Sequence, residues 1–144
     1  MTAQYQTRND NCVQACVASI LDMPLHKVPH LLDMDHDGHG WDRLFKWVRR
    51  HRYQAVWIDG SNRVSERKLE KSGTYYMGIW PVRSGGTHAV VMRRGRLVFD
   101  PAGSTEIVGP LVGYVAFQKK GNGCLVFFLL LALLLAVHWI VNIH

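Results

Sequence analysis

The last 22 residues of the chain, 123–144, most constrain how it can fold. They contain no Lys, Arg, Asp or Glu, and 18 of the 22 are hydrophobic. As a helix, residues 124–141 would span about 27 Å, close to the ~30 Å hydrocarbon core of a bilayer. The alternative is a buried helix of a soluble domain, but a helix that is apolar on every face rarely docks on a small domain. We therefore predict one transmembrane helix over 124–141.

Charged residues beside this segment predict its orientation. Lys119 and Lys120 lie just before it, whereas residues 142–144 after it contain no Lys or Arg. The positive-inside rule then places the N-terminal part of the chain on the cytoplasmic side. Residues 1–11 are polar and do not have the apolar stretch of a secretory signal. We predict a cytoplasmic domain over 1–120, a hinge over 121–123 and a single-pass membrane anchor.

The part before the apolar segment has the composition of an ordinary globular domain. It contains all 28 charged residues of the chain, which excludes collagen-like, coiled-coil and disulfide-scaffold classes and a disordered chain. The net charge of +6 suits an anionic membrane surface. Nucleic acid is the competing explanation, but the chain has no helix-turn-helix, zinc-finger or RNA-recognition signature, so we expect no nucleic-acid partner.

Hydrophobic periodicity predicts helices first and strands later. A helix is predicted over Cys12–Asp22, where apolar residues recur at helical spacing, and Asn9, Asp10 and Asn11 offer N-cap chemistry. The other predicted elements are a short helical turn at 25–32 interrupted by Pro29, helices at 41–51 and 64–71, and strands at 55–58, 74–80, 87–92, 97–100 and 113–118. This order predicts an α+β fold, with a helix layer packed on an antiparallel sheet and a cleft between them.

Cys12 is the first candidate for chemistry. At the start of a helix, free N–H groups and the helix dipole favour a thiolate, which is the nucleophilic form of cysteine. Cys16, in contrast, lies on the apolar stripe, where a structural cysteine is expected. The alternative for Cys12 itself is an inert buried cysteine.

His88 and Asp100 are the candidate base and its orienting carboxylate. If residues 93–95 form a three-residue hairpin loop, His88 faces Asp100 directly across two antiparallel strands, within reach of a hydrogen bond. A two-residue Arg94-Gly95 turn would instead put Asp100 on the opposite face of the sheet. In that case His88 and Asp100 would be unrelated surface residues.

An acyl-transfer site also needs donors for the oxyanion. The Cys12 N–H is one candidate, and the side-chain amide of Gln6, six residues upstream, is the other. Cys12, His88, Asp100 and Gln6 are therefore the candidate site residues.

Two segments of the chain, YQTRNDNCVQACVASIL at 5–21 and GTHAVVMRRGRLVFDP at 86–101, resemble the papain-like bacteriocin-processing peptidases, which cleave double-glycine leaders, and small phage-encoded members of that group. The likeness covers about residues 5–118. It implies a minimal papain-like fold, a peptide or protein substrate and no cofactor. It also implies a catalytic Cys12, His88 and Asp100, with Gln6 at the oxyanion.

The chain departs from the family in two respects. Val13 stands where many relatives have a glycine after the nucleophile. The chain has a single apolar span and no GxxxxGK[ST] loop, so it is not expected to be a transporter like the fused relatives.

Several other residues were considered. Side chains of the types that bind metals occur at Asp35, His36, Asp37, His39 and Asp42. A second Cys/His pair is missing, so we predict a surface or cleft loop and no metal. Among the tryptophans, Trp41 and Trp80 are predicted in the core, and the alternative for Trp80 is a position in the cleft wall.

These observations predict a membrane-anchored cysteine peptidase with a Cys-His-Asp triad. The alternatives are a non-catalytic papain-like module that binds a peptide or protein at the membrane, and a metal-binding protein built on the loop that contains His36 and His39.

Overall fold

The computed structural model describes residues 1–31, 37–103 and 106–121. The helices are α1 (Cys12–Leu21), α2 (Gly40–Arg50) and α3 (Arg63–Ser72), with a 3₁₀ turn at Leu25–Lys27. The strands are β1 (Tyr53–Asp59), β2 (Tyr75–Pro81), β3 (Thr87–Arg93), β4 (Arg96–Phe99) and β5 (Gly113–Lys119). The predicted α+β class is confirmed. In the residues described, no helix is long and apolar enough to cross a membrane. The predicted transmembrane helix 124–141 and most of the hinge lie outside them.

The buried face of helix α1 corresponds to the apolar stripe of its sequence. Ala15, Cys16 and Val17 are fully buried. The helix ends where Asp22 adopts a left-handed conformation (φ 57°) and its N–H closes the last turn onto Ala18 and Ser19. Pro24 then prevents continuation.

The strands form one antiparallel sheet in the order β1-β5-β2-β3-β4. Helices α1 and α2 cover one face, where Leu44 and Val48 pack with Met77, Val91 and other residues of the main core. On the other face Leu69 of α3 packs with a smaller cluster around Tyr76, Val90 and Tyr114. The helix layer over the first face brings the beginning of α1 to the beginning of β3, where the candidate residues lie.

Candidate active site

The hairpin that joins β3 to β4 differs from the prediction. Arg93 pairs with Arg96, so the turn has two residues, Arg94 and Gly95, instead of the predicted three. Both have positive φ, 51° and 73°, as a type I′ turn requires. The predicted loop 93–95 and the direct pairing of His88 with Asp100 are therefore wrong.

A β-bulge nevertheless brings Asp100 close to His88. Met92 pairs with Leu97 but Val91 pairs with Phe99, which leaves Val98 as an extra residue in β4. Continued for one residue, the register after the bulge sets Asp100 beside Val90, two residues along β3 from His88. The two side chains meet there, with His88 Nε2 2.8 Å from Asp100 Oδ1.

Asp100 is held by the turn that follows β4. Its Oδ1 also accepts the N–H of Ala102 at 2.8 Å, and its carbonyl accepts the N–H of Gly103. The Asp100 and His88 side chains are 9% and 8% exposed. In this shielded position a hydrogen bond between imidazole and carboxylate is stronger than in water.

Cys12 also interacts with the His88 side chain. Because Nε2 binds Asp100, Nδ1 is the ring nitrogen left for the Cys12 sulfur. Burial opposes ionisation of the thiol, but the hydrogen bond to His88 and those from the N–H groups of Ala89 and Val13 outweigh it, and the pKa of Cys12 is lowered. Burial likewise opposes a charged ring, yet the Cys12 and Asp100 hydrogen bonds raise the pKa of His88. Both shifts favour a thiolate–imidazolium pair.

Cys16 lies one turn further along α1 and has a different environment. It is fully buried in the main core. Burial, followed by the negative charges of Cys12 and Asp100, raises its pKa well above the ordinary value. Its expected role in packing agrees with this placement.

Gln6 reaches the same region through the chain segment before α1. Its backbone N–H donates to the Pro101 carbonyl at 3.1 Å, which ties this segment to the turn after β4. Its side chain lines the cleft beside Cys12, and in the part of the chain that the structure describes, the buried Oε1 has no hydrogen-bond partner. A buried, unpartnered amide oxygen is costly, so this amide is disposed to interact with a bound molecule.

Asn11 is a residue that the sequence analysis took only for a helix cap. It is 1% exposed, and its side chain makes no cap bond to α1. Its Oδ1 instead accepts the N–H groups of Thr7 and Arg8 in the preceding loop, while Nδ2 donates to the side-chain Oε1 of Gln14 in α1 at 3.0 Å. Asn11 therefore shapes the loop before Cys12 and leaves the first N–H groups of α1 without a side-chain cap. The sequence signal that could have indicated this role is an Asn immediately before the cysteine that begins the helix.

A cleft of about 760 Å³ opens above Cys12 and His88. Trp41, Leu31 and Val82 contribute to its walls, with the Gly85-Gly86 turn at its rim. Trp41 thus combines a cleft position with packing against the core. Trp80 does not line this cleft, because its ring lies over Gly78 on the other face of the sheet. The predicted packing of Trp80 in the core is therefore confirmed, as part of the smaller cluster, and the cleft-wall alternative is wrong.

The predicted surface loop is partly described. Asp37 binds the Arg43 guanidinium, and His39 Nδ1 lies 3.6 Å from Asp42. Among the described residues no group of three or more His, Cys, Asp or Glu side chains is placed to hold a metal. Asp35 and His36 lie outside those residues.

Comparisons with protein-family models, with curated proteins and with solved structures gave no match for this chain.

Proposed function

We propose that this protein is a membrane-anchored cysteine peptidase with a minimal papain-like fold, related to the bacteriocin-processing peptidases and their small phage-encoded members. The observation that carries the proposal is the chain of contacts from Cys12 through His88 to Asp100. Its two pKa shifts, downward for the thiol and upward for the imidazole, are those that a nucleophile and its acid–base partner need. A Cys-bearing helix packed on an antiparallel sheet that carries the His is also consistent with a papain-like fold.

In the first half of the reaction, the Cys12 thiolate attacks the carbonyl carbon of the scissile peptide bond and forms a C–S bond. The carbonyl electrons move onto oxygen and give a tetrahedral oxyanion. As the oxyanion collapses, the C–N bond breaks and the His88 imidazolium gives its proton to the leaving amine. Asp100 holds the ring by Nε2, so that Nδ1 stays aimed at the sulfur.

In the second half, a water molecule hydrolyses the thioester. His88, now neutral, takes a proton from the water as the oxygen attacks the acyl carbon. The C–S bond breaks, the carboxylic acid product leaves, and the thiolate–imidazolium pair is restored. This chemistry requires no cofactor.

Two donors stabilise the oxyanion in this mechanism. The Cys12 N–H lies in the first turn of α1 and has no acceptor within the helix. The Gln6 amide supplies the second donor, since a half-turn about its Cγ–Cδ bond exchanges the buried Oε1 for Nε2. Donors fixed in advance in a shielded cleft stabilise the oxyanion more strongly than water does.

The proposed substrate is a peptide or protein. The cleft combines apolar walls with the polar groups around Cys12, as a site for an extended peptide would. We further propose that segment 124–141 anchors the chain in the membrane as a single span, with the N-terminal domain in the cytoplasm.

The rate of iodoacetamide alkylation at Cys12, followed against pH by peptide mapping, tests the proposal. The wild-type profile should give an apparent pKa below the ordinary thiol value of about 8.5. In His88→Ala the apparent pKa should rise, because the imidazolium no longer stabilises the thiolate. Cys16 in the same samples is the matched control and should stay unmodified while the chain is folded.

An ordinary Cys12 pKa that His88→Ala leaves unchanged would refute the peptidase. A low Cys12 pKa without cleavage of any peptide in a mixed library would replace it with the non-catalytic binding module. Metal-dependent folding or activity, lost on addition of a chelator, would favour the metal-binding alternative.

A further inference from the structure

The two ends of the sheet differ in charge. At one end Tyr53 of β1 pairs with Lys119 of β5, and Tyr75 of β2 pairs with Arg93 of β3. Exposed cations cluster at this end, and we call six of them the basic end: Arg50, Arg52, Arg94, Arg96, Lys119 and Lys120. At the opposite end, where Pro81 pairs with Thr87, the cleft opens beside His88.

The cations of the basic end are not neutralised by neighbouring carboxylates. Of the described residues, none forms an ion pair with any of the six. The Glu70 side chain lies close to Gly95 in the same region without such a pair. Near the cleft, by contrast, Arg83 binds Glu106 at 2.7 Å and Arg43 binds Asp37. The six cations without a carboxylate partner therefore give this end of the sheet a positive potential.

The chain leaves the sheet at this same end. Lys120 N–H donates to the Arg52 carbonyl at 2.7 Å, which fixes the end of β5 against the residue before β1. The sequence then continues into residues 123–144, which contain no charged side chain. A surface of free cations beside an apolar segment has the two components of stable membrane association, electrostatic and hydrophobic.

We propose that the basic end docks on the anionic lipid headgroups of a membrane and holds the cleft away from it. Gly113 and Lys119 are the two ends of β5, so six steps of about 3.3 Å put the cleft end about 20 Å beyond the basic end. The cleft then faces the aqueous side, where a soluble peptide can enter. This orientation does not depend on the peptidase chemistry, since an inactive Cys12 variant would dock in the same way.

The experiment uses the full-length chain with nanodiscs that carry a nitroxide-labelled headgroup lipid. In discs of phosphatidylcholine with phosphatidylserine, the amide signals of Arg52, Arg94 and Lys120 should broaden strongly, while those of Arg83 and Gly86 at the cleft end should not. In discs of phosphatidylcholine alone the contrast between the two ends should fall, because the anionic attraction is lost. Added salt should reduce it as well.

Two matched double variants distinguish the effect of charge at the basic end from the effect of the total charge of the chain. Arg50→Gln with Arg96→Gln removes two charges from the basic end, and Arg43→Gln with Arg83→Gln removes two from the cleft end. The first double variant should weaken docking of the basic end on anionic discs roughly 10- to 30-fold, while the second should leave that docking nearly unchanged.

Three results would overturn the inference. Even broadening at both ends, or broadening confined to the cleft end, would show a different orientation. Equal losses of docking in the two double variants would show an effect of total charge alone. Single-stranded RNA that shifts the basic-end amides and competes with anionic discs would identify nucleic acid as the partner instead.

Discussion

Cys12 and Cys16 lie one turn apart on α1 and are 8% and 0% exposed, yet their pKa values move in opposite directions. Burial raises the pKa of both thiols. At Cys12 the hydrogen bonds from His88 and from the Ala89 and Val13 N–H groups more than compensate. At Cys16 the nearest charges, on Cys12 and Asp100, are negative and add to the effect of burial. The residues that meet the helix from β3 therefore set the difference between the two pKa values.

Removing each sulfur in turn is the strongest test of this difference. Cys12→Ala should lower kcat/KM at least ~10⁴-fold, because no other group at the site can form the covalent intermediate. The measurement is turnover of the peptide that the wild-type chain cleaves fastest in a mixed library.

Cys16→Ala is the matched control. Loss of the buried sulfur should cost about 1–2 kcal/mol of unfolding free energy in urea, because it leaves a small cavity in the core. Its kcat/KM should stay within a few-fold of wild type under conditions where it is folded. Comparable turnover losses in the two variants, with both folded, would remove the distinction between the cysteines.

Local patterns were sufficient to predict most of the secondary structure. The stripe of α1 predicted a helix from Cys12 to Asp22, and the helix runs from Cys12 to Leu21. The strand predicted at 113–118 extends over Gly113–Lys119. Such elements are set by side chains a few residues apart, so their signal is contained in a short window.

The contact between His88 and Asp100 was predicted with the wrong register. A three-residue loop pairs Asp100 with His88, and a two-residue turn followed by a bulge sets Asp100 beside Val90, so both bring Asp100 close to His88. The sequence could not distinguish them, because Val98 has no feature that marks it as the extra residue.

Other contacts distant in sequence were not predicted. The bond from Gln6 N–H to the Pro101 carbonyl, and the position of β5 between β1 and β2, depend on how whole elements pack. Asn11 was taken for a cap because its side chain was expected to reach forward into α1. The backbone of Thr7 and Arg8 competes for that side chain and binds it instead.

A smaller effect on turnover distinguishes the role of Gln6 as oxyanion donor from the role of the Cys12 thiolate. Gln6→Ala should lower kcat about 10²- to 10³-fold through loss of one donor. The alkylation pKa of Cys12 should not move, since Gln6 does not contribute to it. Stopped-flow or single-turnover kinetics and the alkylation profile measure the two quantities separately.

Gln4, two residues earlier in the same segment, provides the control. Its Oε1 accepts the N–H of Leu25 at 3.3 Å. Gln4→Ala should therefore cost about 0.5–1.5 kcal/mol of stability and leave kcat nearly unchanged. If both variants lose kcat alike, Gln6 acts through the position of its segment and is not a donor to the oxyanion.

The smallest expected effect is the contribution of the Cys12–His88 pair to the pH dependence of the unfolding free energy. The pKa of Cys12 is lowered by folding, so its contribution is lost as pH falls through the folded value. The pKa of His88 is raised, so its contribution is lost as pH rises through its folded value. Between about pH 6.5 and 8.5 the unfolded pair holds one proton, on the thiol, and the folded pair also holds one, on the imidazole.

The stabilisation from the pair should therefore be constant in that window and decline on both sides, by at most about 1.4 kcal/mol per pH unit. Urea unfolding of wild type and of the Cys12→Ala/His88→Ala double variant, subtracted at each pH, isolates this contribution from other titrating groups. Cys16→Ala should reproduce the wild-type curve in shape, because its thiol is neutral in both the folded and unfolded chain below about pH 8. A difference curve that rises steadily with pH would mean that Cys12 ionises without His88 as its partner.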